Sequence, residues 1–111
     1  MKAKEFDEAI VAYTKAINDD PSEPASFSNR ALAYLRQKKY TQCVEDSNEC
    51  LKLDSKFIKA NHRRGKAYQA LKKWDLAIKD YQEILERNPD DADINKSMQQ
   101  CRNELRKIED K

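Results

Sequence analysis

Apolar residues recur every three or four positions along almost the whole chain. In EFDEAIVAYTKAIN they fall at Ala9, Tyr13, Ala16 and Ile17, and in DLAIKDYQEILER at Leu76, Ile78, Tyr81, Ile84 and Leu85. At 100° per residue these positions gather on one face, which is the pattern of an amphipathic helix and not of a strand. Six such segments predict helices over 5–18, 24–37, 40–53, 55–71, 74–87 and 91–107. The three prolines lie at their boundaries, and the Asp-rich pieces NDDPSEP and NPDDAD supply turns and helix caps. Connections this short make successive helices antiparallel neighbours, so the fold class is all-α.

The pattern also repeats at a longer period. The segments EFDEAIVAYTKAINDDP, KYTQCVEDSNECLKLDS and KWDLAIKDYQEILERNP align without gaps in a 34-residue register. Phe6, Tyr40 and Trp74 correspond, as do Ala9, Cys43 and Ala77, then Tyr13, Ser47 and Tyr81, and finally Pro21, Ser55 and Pro89. Between them, Asn29 matches Arg63, Ala31 matches Gly65 and Tyr34 matches Tyr68. Self-similarity at this period is the signature of a stacked helical array.

These residues resemble the tetratricopeptide repeat, whose 34-residue helix pairs carry small residues at packing positions and a proline at the close. The resemblance implies a right-handed superhelix of helix pairs, A and B, forming one domain. It divides the chain into a partial first repeat at 1–22 with helix B only, repeats at 24–57 and 58–91, and a capping helix at 92–111. Ile94, Met98, Cys101, Leu105 and Ile108 form the apolar stripe of that cap. Small Ala31 and Gly65 mark where helix A approaches its partner; Cys43, Cys50 and Ala77 mark the same for helix B, which reads both cysteines as core. Asn61 stands where the preceding repeat has Phe27, and Arg30 and Arg64 take a commonly aliphatic position, which is expected to weaken packing.

Charge and composition narrow the function. The 111 residues are 38% charged, yet 22 Lys and Arg against 20 Asp and Glu leave a net charge of +2, so indiscriminate attraction to nucleic acid or an anionic membrane is not expected. No apolar run approaches the roughly 18–20 residues that span a bilayer, and no secretory leader is evident, which points to a cytoplasmic chain. Three cysteines without C-x-x-C spacing suggest neither disulfides nor zinc. One histidine, one glycine and no nucleophile motif give an enzyme reading no support, and no cofactor or metal is expected. Acids such as Asp19, Asp20, Glu45 and Asp46 read as solvated surface.

The remaining signal is KANHRRGKAY, where Lys59, His62, Arg63 and Lys66 fall on one helical face with no acid among them. Like charges at this spacing cost a few tenths of a kcal/mol each, so something anionic is expected opposite them. In the resembled fold these are groove-facing positions of helix A, and Asn29 holds the place one repeat before Arg63. The resemblance then sharpens to the carboxylate-clamp class, which binds the C-terminal Glu-Glu-Val-Asp peptides of cytosolic heat-shock chaperones of the seventy- and ninety-kilodalton classes. Of that class's five residues Asn29, Lys59 and Arg63 match three, and the other lysine and asparagine belong to the helix preceding this stretch. Peptide-binding candidates are therefore Asn29, Lys59, Arg63, Lys66 and His62. Two other readings stay open: an assembly scaffold in which Ile10, Tyr13 and Ile17 of the first helix dock another subunit, and an RNA-binding helical array, which the small net charge disfavours.

Overall fold

The computed structural model describes residues 3–109. Six helices follow in order: α1 (Ala3–Asp19), α2 (Pro24–Arg36), α3 (Tyr40–Leu53), α4 (Ile58–Ala70), α5 (Trp74–Arg87) and α6 (Ala92–Glu109). No strand occurs among the described residues. The expected helices stand to within three residues, the largest difference being the start of α4. Asp54 takes the backbone N–H of Lys56 onto its side chain at 3.0 Å, which holds Asp54–Phe57 as a turn and delays α4 to Ile58. Asp20, one repeat earlier, does the same to Ser22 at 3.1 Å. Pro24 opens α2, where its missing N–H costs nothing, and the Glu23 side chain accepts from the Ala25 N–H.

Each helix packs antiparallel on the next, and α2 also packs directly on α4. The helices thus form two layers, α2, α4 and α6 in one and α1, α3 and α5 in the other, in a body 48 Å long. Closeness in the first layer and separation in the second curve the array, so that α2 and α4 face inward. The core is a series of clusters, as expected of a solenoid: Ile17, Phe27, Cys50 and Ala60; then Ala31, Cys43 and Ala67; then Ala77, Tyr81, Ile84, Ile94 and Cys101. Cys43, Cys50, Ala31 and Ala77 are fully buried, as their small size predicts.

Four sequence expectations are corrected here. Arg30 and Arg64 do not weaken the packing, because each lies in a bidentate pair with an acid. Arg30 donates to both carboxylate oxygens of Asp46 at 2.7 Å, and Arg64 donates from Nη2 to Asp80 Oδ1 at 2.7 Å and from Nε to Oδ2 at 2.9 Å. The third corner also repeats, since Arg30 reaches Thr14 in α1 and Arg64 reaches Asn48 in α3. Every step is 16 residues and the motif recurs after 34, so one arginine ties a B helix to the next. Asp46 is consequently only 5% exposed, not solvated. Ile17 faces inward against Phe27, whereas Val11 is the large hydrophobic residue of α1 that is exposed, and Ile108 lies beyond the core at the end of α6.

Candidate functional site

The inner face of α2 and α4 collects the cations that the sequence placed on one stripe. Between these helices lies a cavity of about 400 Å3 floored by Leu32, Leu35 and Tyr40. Its charged or titratable walls are Arg36, Lys38, His62 and Lys66, with no acid among them. Asn29 and Lys59 are exposed on the same two helices. Lys59 and His62 also line a smaller cavity of about 230 Å3 that opens towards Arg87 and Asp91.

Arg63 is the distinctive member. It is half-buried, and its Nη1 donates to the hydroxyl of Ser28, a residue with no exposed surface. No carboxylate pairs with it among the described residues. Burial therefore pulls its pKa below the usual guanidinium range, whereas Asp46 and Asp80 raise those of Arg30 and Arg64. A guanidinium remains charged all the same, so Arg63 presents a cation that the protein has partly dehydrated without neutralising. Such a group gains most from an anion arriving from outside.

The other candidates separate by neighbourhood. Lys66 turns away from the groove entrance to α6, donating to Ser97 Oγ at 2.7 Å and lying 3.3 Å from Asp93, with Tyr81 beneath it. It shapes the cationic wall while its ammonium is already engaged. His62 sits between Arg63 and Lys66 on its own helix and Asp91 and Asp93 across the α5–α6 turn. Burial first, then Lys66 and Arg63, lowers its pKa from 6.5, against an opposing pull from the two aspartates. The folded chain thus holds this proton less tightly than the unfolded chain. His62 favours folding fully above 6.5, and the benefit fades as pH falls through that value towards the lower folded pKa. An NMR titration of this single histidine is expected to give a midpoint below 6.5, with the urea midpoint declining over the same interval and flattening in His62→Gln. A midpoint at or above 6.5 would contradict the placement.

Sequence reasoning missed Ser28, Arg36 and Lys38 as site residues. Arg36 was legible, since it follows Asn29 and Leu32 on one helical face; Lys38 was not, because it adopts a left-handed conformation (φ 62°) just past α2 that turns it back to the cavity. The buried thiols have no nucleophilic character. Burial pushes the Cys43 thiol up to about 12 and the Cys50 thiol to about 11, which leaves both un-ionised and inert. No grouping of His, Cys, Asp or Glu among the described residues could hold a metal, and no described helix is long and apolar enough to cross a membrane.

Comparison with known proteins agrees with this architecture. Tetratricopeptide repeat models match residues 24–57 and 58–91, and a TPR repeat model matches 1–38. The chain belongs to the tetratricopeptide repeat family. It is 37% identical over 101 residues to serine/threonine-protein phosphatase 5 of Rattus norvegicus, and 42% identical over 108 residues to RNA polymerase II-associated protein 3 of Mus musculus. Those matches take in 91% and 97% of this chain but only 20% and 15% of the relatives, so the chain spans a fifth or less of their length. The first TPR of Spaghetti (RPAP3) bound to the HSP90 peptide SRMEEVD superposes with a TM-score of 0.88 at 37% identity, covering 92% of this chain and 81% of that one.

Proposed function

We propose that this domain is a co-chaperone-like binding module and not a catalyst, and that its α2–α4 groove takes the acidic C-terminal tail of a cytosolic heat-shock chaperone. The observation that carries the reading is Arg63, half-buried, oriented by Ser28 and without an acid partner among the described residues. A tail ending in aspartate presents two carboxylates within a few ångströms, which a planar guanidinium, the Lys59 ammonium and the Asn29 amide can share. Arg36 and Lys38 then face the acidic residues upstream. Lys66 acts through the wall it builds with α6, and His62 as a neighbour that acquires positive charge more readily once an anion lies beside it. The peptide SRMEEVD, seen on the related Spaghetti domain, is the natural probe.

Charge-assisted hydrogen bonds contribute about 1.5–3 kcal/mol each, so Arg63→Ala is expected to weaken SRMEEVD binding by roughly ten- to a hundredfold. Lys79→Ala, on the other face of the array, should leave it unchanged. Titration calorimetry of both variants beside the parent decides: equal affinities for Arg63→Ala and the parent would remove the basis of the reading.

A further inference from the structure

We infer that the opposite face, in the groove between α3 and α5, is a second docking site, for a partner segment that presents an aromatic side chain flanked by basic residues. Two adjoining cavities of about 450 and 440 Å3 lie there, with Leu51 and Arg64 common to both. The first is walled by Leu51, Tyr68 and Leu76 and has Asn61 within it.

The protein supplies its own control for what this space fits. Asn61 stands 34 residues after Phe27, and Leu51 stands 34 after Ile17. In the earlier repeat the Phe27 ring is 8% exposed and packs against Ile17, which it seals to 9% exposure. In the later repeat the equivalent side chain is an amide, Asn61, held by its hydrogen bond to Asp80 at 3.2 Å; Leu51 is only partly buried, beside Phe57 against the Ile17–Phe27 cluster, and Leu76 across the groove is left 38% exposed. An external aromatic side chain would restore the arrangement that the preceding repeat completes internally.

The charges around this ring site differ from those in the α2–α4 groove, whose charged walls are all basic. Arg64 and Asp80 neutralise each other on the floor. With Lys52 and Glu49 paired to each other, the rim is left with Glu45 and Glu83 against Lys79, a net acidic balance. An acidic tail is therefore repelled here, and a ring with basic neighbours is favoured.

The test uses three peptides on the whole chain, followed by NMR shift mapping: acetyl-Lys-Phe-Lys-amide, the same peptide with alanine for phenylalanine, and acetyl-Glu-Phe-Glu-amide. The first is expected to bind about fivefold or more tighter than either control, with shifts centred on Leu51, Tyr68 and Leu76, and saturating SRMEEVD should not displace it. Asn61→Phe, which places the ring internally, should abolish binding while leaving SRMEEVD affinity unchanged. Should that variant fail to fold, Glu49→Lys with Glu83→Lys on the exposed rim should weaken the first peptide severalfold. Equal binding of all three peptides, shifts centred on Arg36 and His62, no binding of the first peptide, or folded variants that bind it like the parent would each overturn the inference. Loss of SRMEEVD binding alone would bear only on the other groove.

Discussion

Replacing Asp80 by alanine is expected to destabilise the fold by about 3 kcal/mol, which lowers the melting temperature by roughly 10 °C or more in a chain of this size. Asp80 is 2% exposed and accepts from both Arg64 and Asn61, so its removal strands a guanidinium and an amide at once. Breaking a buried ion pair commonly costs about 3–5 kcal/mol. The lower end applies because the Arg64 side chain keeps 24% exposure and retains Asn48, so water and an amide recover part of the loss. The companion variant Arg64→Met with Asp80→Leu removes the charge as well as its partner and should regain much of the difference. Thermal melts followed by circular dichroism check both. An Asp80→Ala melt within about 2 °C of the parent would mean that the pair is ornamental.

Gly65→Val is the second large effect, again about 3 kcal/mol. Glycine in the middle of α4 ordinarily costs close to 1 kcal/mol relative to alanine, so its presence needs a reason. A Cβ built there would stand 2.6 Å from Tyr81 Cε1 and 3.3 Å from Asp80 Cβ. Tyr81 cannot yield, because its ring is fully buried and its hydroxyl donates to Gln69 at 2.6 Å. For Gly65→Ala the gain in helix propensity offsets part of the overlap, and the expected loss is smaller, about 1 kcal/mol. Urea unfolding of the two variants should rank them in that order, with unchanged slope. Ala31 tolerates its methyl at the equivalent place because Ser47 stands there instead of a tyrosine.

That exchange of Gly65 with Tyr81 for Ala31 with Ser47 shows why the sequence was informative about the fold. Residue size co-varies between positions 16 apart, so the 34-residue register reports packing as well as helicity. The same spacing links Thr14, Arg30 and Asp46, and again Asn48, Arg64 and Asp80. The ion pairs were therefore visible in principle, but opposite charges in different helices carry no meaning until the register says which helices touch. Of the groove, the stripe on α4 and Asn29 on α2 were legible because helical periodicity alone puts them on one face. Lys38 was hidden by a turn conformation, and the engagement of Lys66 by Asp93 and Ser97 depends on how α6 crosses α4. Such crossing geometry is set by contacts distant in sequence, which no local pattern encodes.

The central proposal is that a partly dehydrated arginine, with no acid partner among the described residues, makes this domain a reader of chain-terminal carboxylates. Calorimetric titration with SRMEEVD as the free acid and as its C-terminal amide tests it most directly, because the two peptides differ only in the terminal group assigned to Arg63, Lys59 and Asn29. The free acid is expected to bind about tenfold or more tighter, and its advantage should shrink as salt screens the contact. Equal affinity for the two peptides would contradict the account.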